Sequence, residues 1–298
     1  MSFSERNLIA DLKVDLKTRF LRAFLPGLSL DDKFRFLLHS LFVRVRSELV
    51  ARNMMPTELA HSLDRIMNGL IRGVRIRIDG VKYVLVDSES FSLVSPEHES
   101  WLWKHLDVKE NEVFLDVGAH IGKYALRIAK TVKNSKVVAV EAHPQKFGAL
   151  RTGVKLNGLD NVIALNLAAW NAKERQKLYL AAFAGRHSMK ANMCLGYVLV
   201  EAEPLDQTLK RIGIDAVDWI KIDVEDAENE VLRGLADTIK HCKPHIIFES
   251  RNIELYERSR EYLEQYEYVC EKIAFDNYIA IPNRTISASK QRPASTTS

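Results

Sequence analysis

From residue 112 onward the chain alternates short apolar runs with amphipathic stretches, and that alternation leaves few folds open. The apolar runs read as strands at 112–117, 136–141, 162–167, 218–224 and 244–249. The stretches after them predict helices at 121–132, 144–156, 226–239 and 254–265. Near-continuous apolar strands are buried on both faces, and strands separated by helices pair in parallel beneath helical layers. The segment 168–215 interrupts the rhythm with one expected strand, "RQKLYLAA", and a polar loop, "GRHSMKAN". The last apolar stretch, "YVCEKIAFDNYIAIPN", predicts a hairpin turning at Asp276-Asn277.

The first strand and helix meet in "VFLDVGAHIGKYALRIA", with Gly118 and Gly122 at the joint and Asp116 at the strand tip. A strand, a glycine turn and a helix N-terminus form a general nucleotide site, in which Gly118 permits a tight turn and Gly122 a close approach of ligand to backbone. Glu141 ends the second strand, where an acid can accept both ribose hydroxyl protons. Asp116 stands where a dinucleotide fingerprint has its first glycine, and a carboxylate there repels a pyrophosphate. An adenosine ligand without phosphate and with positive charge suits it better, and S-adenosyl-L-methionine has both properties.

A second constellation is "VDWIKIDVEDAENEVLRGL". Lys221 lies inside an apolar strand, where a charge is costly unless paired. Asp223, Glu225, Asp226 and Glu228 crowd the strand end, which in an open α/β sheet points into the ligand crevice. Asp226 and Glu228 are expected to face the dipole of the following helix. The partner of Lys221 is Asp223, Glu225 or Glu249, the last ending the neighbouring strand "PHIIFES".

Residues 4–72 read as helices: Leu8, Leu12, Leu16 and Phe20 recur every fourth residue, Ser29 is an N-cap with Asp31 and Asp32 behind it, and Pro56 and Thr57 open a third helix. Phe34, Phe36, Leu37, Leu41 and Phe42 could form core, a dimer seam or, with basic residues interleaved, a peripheral membrane contact. Asp79-Gly80 between alternating runs predicts a hairpin, and "SPEHESWLWKHL" a short helix capped by Ser95 with Pro96 at its first position. The expected organisation is a helical cap over 1–73, a catalytic domain over 74–283 that includes a lead-in hairpin and helix over 74–111, and a disordered tail over 284–298. Three widely spaced cysteines favour reduced thiols and a cytoplasmic protein, "MSFSERNLIADLK" does not read as a signal peptide, and no run is long and apolar enough to span a bilayer. A net charge of +4 gives no argument for nucleic acid.

"FLDVGAHIGKYAL", "VVAVEAHPQKFGALRTGVKLNGLDNV", "WIKIDVEDAENEVLRG" and "IIFES" together resemble the successive motifs of the FkbM-type methyltransferases, a class I S-adenosylmethionine-dependent family. The resemblance covers about 74–282 and implies a Rossmann-like, seven-stranded, mostly parallel sheet whose final hairpin is antiparallel. It implies methyl transfer to a hydroxyl of a sugar, glycolipid or secondary metabolite, with Asp116, Gly118, Ala119, His120 and Gly122 around the methionine and ribose, Glu141 on the ribose, and Ala168 at the adenine. The family usually has Asn at His120 and Gly at Asp226, so this chain departs from it twice.

An alcohol is a poor nucleophile, so a base helps; Asp223 leads Glu225, Glu249, His120 and His187, with Lys221 as the cation that keeps it ionised. Asp223 also takes part in cofactor binding. Asp223 with Glu225 could hold a divalent ion, but Lys221 competes with it, so no metal is expected. The other expected readings are a non-catalytic S-adenosylmethionine-binding module and, behind it, an NAD-dependent oxidoreductase.

Overall fold

The structure is a computed structural model that describes residues 29–52, 54, 57–181 and 194–283. The expected helix over Leu8–Phe20, the "GRHSMKAN" loop with His187, and the tail from 284 lie outside the described residues.

The centre is a seven-stranded sheet in the order β11-β12-β10-β9-β3-β4-β5. Its strands are β3 (Val113–Val117), β4 (Lys136–Val140), β5 (Val162–Leu165), β9 (Trp219–Ile222), β10 (His245–Glu249), β11 (Tyr268–Ala274) and β12 (Asn277–Pro282). All run in parallel except β12, which is antiparallel to both β10 and β11. The closing turn uses Phe275-Asp276, one residue earlier than expected, because Asn277 already pairs with Glu249.

Alternate residues of the central strands supply two cores, as the two-residue period of a strand requires. Phe114, Val137 and Ala139 pack with Ile121, Leu126 and Leu150 on one face. Leu115, Val138, Ile220 and Ile222 pack with Val231, Leu235 and Ile239 on the other. Helices α4 (Lys123–Thr131) and α5 (Pro144–Asn157) cover the first face. The expected helix over 226–239 is instead two, α7 (Glu228–Arg233) and α8 (Ala236–Cys242). The break falls at Gly234, where a Cβ would lie 2.1 Å from the Trp170 carbonyl oxygen.

The interrupting segment forms a three-stranded sheet of β6 (Ala168–Ala169), β7 (Glu174–Ala181) and β8 (Cys194–Glu203), followed by α6 (Leu205–Arg211). The expected strand is β7; its partner β8 was not foreseen.

Upstream, α1 (Leu30–Ala51) starts at a Ser29–Asp32 capping box and packs beside α2 (Thr57–Ile71). Arg35 donates to the carbonyls of Leu70 and Arg72, and the Arg75 guanidinium lies 2.9 Å from Asp32. Phe36 enters the main core against Phe91, at 4.9 Å between ring centres, whereas Phe34 and Leu41 stay exposed. The hairpin of β1 (Arg75–Ile78) and β2 (Val81–Val84) turns at Asp79-Gly80, both at positive φ as a primed turn demands. Asn157 ties it down: its carbonyl accepts from Lys82 N and its amide donates to Lys82 O.

The helix expected after Ser95 is displaced. Helix α3 (Ser88–Val94) precedes it, capped by Asp87, and Ser95 is its C-terminal cap. The Ser95 hydroxyl donates to Glu97 rather than accepting helix amides. Residues 96–101 are turns, ending in a single 3-10 turn at Leu102–Lys104. These turns wall one end of the cavity described next.

Candidate active site

A cavity of about 250 Å³ opens at the carboxyl ends of β3, β4 and β9. Asp116, Gly118, Ala119, His120, Glu141, Ala168, Lys221, Asp223, Glu225 and Glu249 all line it. Gly122 is not in its wall: a Cβ there would meet Leu126 and Leu150 at 2.7 Å, so this glycine serves helix packing, not ligand approach. Gly118 has φ +84, and a Cβ would lie 1.8 Å from the Asp223 carbonyl oxygen. Its bareness seats the end of β9 against the turn, where Asp223 N donates to Val117 O.

Two departures from the family pattern acquire a reason in the backbone. His120 has φ 52 and Asp226 φ 73, left-handed conformations that suit the Asn and Gly usual there. His and Asp are among the residues that tolerate this region, so the turn geometry survives both replacements.

On the β3–β4 side the carboxylates are held by main-chain donors. Asp116 accepts from Ala125 N at 3.0 Å. Glu141 accepts from His120 N at 2.8 Å and from His143 N at 2.7 Å, one bond per oxygen. Burial pushes Asp116 up to about 6, against the pull of Lys221, and raises Glu141 above the ordinary carboxylate range.

On the β9–β10 side the partners are side chains. Lys221 Nζ donates to Asp223 at 2.9 Å, which selects among the three expected partners. Burial alone would raise Asp223; the charge and hydrogen bond of Lys221, with a hydrogen bond from Glu249, together hold it below the usual range. The register places Phe248 opposite Ile222, so Glu249 sits beside Asp223. Burial and the Asp223 charge push Glu249 up, so it carries a proton that it donates to Asp223. Arg251 bridges the remaining acids: it donates to Glu249 at 2.9 Å and to Glu225 at 3.1 Å.

Sequence reasoning missed Glu99, Lys123, Tyr124, Lys146 and Arg251, all of which line the cavity. Glu99, at φ 50 in the turns before β3, accepts from Lys123 Nζ at 2.9 Å and from Tyr124 Oη at 2.6 Å. Burial opposes its ionisation, but Lys221 and Lys123 draw it down to about 2. Lys221 Nζ lies 4.9 Å from the Tyr124 ring centre, which joins this cluster to Asp223. A signal for the two lysines was available: Lys123 and Lys146 occupy first helical turns, where a cation opposes the helix dipole. Glu99 gave no such signal, because its partners are more than 20 residues away.

The family described as "Methyltransferase FkbM domain" matches residues 116–270. Methyltransferase sdnD of Sordaria araneosa is 26% identical over 161 residues, covering 43% of this chain and 62% of that protein. Among solved structures, the methyltransferase FkbM of Methylobacillus flagellatus aligns with a TM-score of 0.45 and 18% identity, over 59% of this chain and 45% of that one. Fibrillarin of Aeropyrum pernix, solved with natively bound S-adenosyl-L-methionine, aligns with a TM-score of 0.42 and 14% identity, over 69% and 80% of the two chains. The chain thus spans about three fifths of the curated relative's length and under half of the solved FkbM protein.

Proposed function

The chain belongs to the FkbM methyltransferase family, and from that premise we propose that it moves a methyl group from S-adenosyl-L-methionine to a hydroxyl of a small sugar, glycolipid or secondary metabolite. The observation that carries this reading is the convergence of Asp116, Glu141 and Asp223 on one cavity from three successive strand ends.

The residues fit the cofactor. Each Glu141 oxygen accepts one main-chain N–H and keeps a lone pair for a ribose hydroxyl. Among the described residues seven carboxyl side chains line the cavity against four Lys and Arg, and Asp116 stands at the glycine turn, a local balance that suits a cationic ligand there. When bound, the cofactor supplies a methyl carbon activated by its sulfonium.

Asp223 would accept the hydrogen bond of the acceptor hydroxyl, orient its oxygen, and take the proton as the C–O bond forms and the methyl carbon–sulfur bond breaks, the neutral thioether leaving. Lys221 holds Asp223 ionised, and the Glu249 proton and Arg251 fix its direction. The competing role for Asp223, a helix cap, is unsupported: α7 begins after Ala227 without a side-chain cap. For residues 1–73 we propose a cap that shapes the acceptor entrance. His39 of α1 bonds Ser88 of α3, the helix whose Glu89 and Leu93 line the cavity. The exposed Phe34 and Leu41 are where a homodimer contact would form.

Calorimetry with S-adenosylhomocysteine and NAD tests the cofactor: the first binds and the second does not. Tight NAD binding with no response to S-adenosylhomocysteine overturns it. Labelled methyl donor offered with hydroxylated sugars, glycolipids and metabolites then tests the acceptor class, and transfer to amines alone refutes the oxygen assignment.

A further inference from the structure

Among the described residues four cations line the cavity, and three are paired. Lys123 bonds Glu99, Lys221 bonds Asp223, and Arg251 bonds Glu225 and Glu249. Lys146 is the fourth. Only 5% of it is exposed, it lines the cavity, and it makes no hydrogen bond or ion pair among the described residues. It acts on Glu141 and Glu225 only through space. Both are already engaged, Glu141 by two main-chain N–H groups and Glu225 by Arg251.

The Lys146 side chain is buried while its ammonium lines the cavity with no donor used by the described residues, which leaves it available to a ligand. The local backbone adds a second source of positive charge. Lys146 is the third residue of the 14-residue helix α5, whose N-terminal end carries partial positive charge. The fold therefore places two positive sources together, at a point where only an anion relieves both. The nearby His143 does not supply a third charge: burial, then Lys146 itself, drive its imidazole down to about 4, so it is neutral at working pH. The cofactor reading assigns its adenosine to Glu141 and Ala168 and its cationic groups to Asp116, and leaves Lys146 without a role.

We infer that Lys146 receives an anionic oxygen group of the acceptor, a phosphoryl or carboxylate, and so selects acidic acceptors over neutral ones. This rests on the methyl-transfer reading of the cavity. The ammonium donates to the anionic oxygens and, with the first turn of α5, anchors one end of the acceptor. The hydroxyl to be methylated then lies toward Asp223.

The test titrates inorganic phosphate into the full-length protein, with and without S-adenosylhomocysteine, and repeats the titration with Lys146→Met and Lys146→Arg. Phosphate should bind the parent, weaken about tenfold or more in Lys146→Met, the scale for one charge-assisted hydrogen bond, and recover in Lys146→Arg. S-adenosylhomocysteine affinity should stay near parental in both. A hexose phosphate, a hexuronate and phosphatidylglycerol vesicles, titrated in parallel, separate a soluble phosphoryl or carboxyl source from a lipid headgroup. Absent phosphate binding, or binding indifferent to Lys146→Met, overturns the inference and makes Lys146 a through-space counter-charge for Glu141. Loss of S-adenosylhomocysteine affinity with phosphate binding intact also overturns it, because Lys146 is then a cofactor ligand. If the parent fails to bind S-adenosylhomocysteine at all, the cofactor reading falls, while the phosphate titrations without it still decide the anion site.

Discussion

The carboxyls at the ends of β3 and β4 are held by main-chain N–H groups, whereas Asp223 at the end of β9 is held by a side-chain cation, and the two arrangements do different things to charge. Asp116 and Glu141, with main-chain donors and deep burial, are raised above the ordinary range. Asp223, facing Lys221, stays below it. Lys221 and Lys146 act on these two only through space, and a main-chain donor brings only a partial charge, so desolvation still wins. An ammonium at 2.9 Å brings a full charge, and ionisation survives burial. The first arrangement suits a group that must point, the second a group that must remain a base.

The largest expected effect is on the cation-held side. Asp223→Asn keeps the shape and loses the base, so kcat should fall by about 10²–10⁴-fold, far more than S-adenosylhomocysteine affinity. Turnover close to the parent breaks the comparison, since Asp223 would then be only a structural partner of Lys221. Lys221→Met leaves Asp116 and Asp223 without their buried cation, and denaturant melts should show a loss of about 3–5 kcal/mol. An unchanged midpoint would mean that Asp223 simply takes up a proton when its partner is removed.

On the main-chain-held side the effect is smaller and falls on binding. Glu141→Ala should weaken S-adenosylhomocysteine by about 1–3 kcal/mol in calorimetry, the scale for hydrogen bonds to a charged acceptor. A loss seen in melting but not in affinity would make Glu141 a brace for the His120 and His143 amides. The smallest effect sharpens the same point through Glu228, which is 2% exposed and bonded to main-chain donors. Burial raises it from 4.5 to about 8, and those donors do not offset this. Its stabilising share is complete below 4.5, where folded and unfolded chains both carry the proton. As pH rises toward about 8 the unfolded chain releases that proton while the fold retains it, so stability declines across this window. Glu228→Gln should reduce that slope in melting temperatures measured across the window. An unchanged slope assigns it to the other raised carboxyls, Asp116, Glu141, Glu225 and Glu249.

The sequence by itself determined the elements with a period or a punctuation mark. Buried strands, amphipathic helices, the Asp79-Gly80 turn and the acids at strand tips are local patterns, so β3, β4, β9 and β10 and ten lining residues were readable in order. Their pairing into one parallel sheet also follows, because strands separated by helices have few other ways to bury both faces. The tertiary structure decided whatever depends on a distant backbone or charge. Gly122 is a packing residue because Leu150 lies across from it, and the helix after β9 breaks because Gly234 meets Trp170. Glu99 joins the site because a left-handed turn delivers it to Lys123 and Tyr124. Lys146 has no hydrogen-bond or ion-pair partner among the described residues, while Arg251, two residues beyond β10, binds Glu225. Periodicity is written along the chain, but the balance of charges in a cavity exists only after the chain has closed around it, because Coulomb energy depends on distance in space and on lost solvent, not on spacing in sequence.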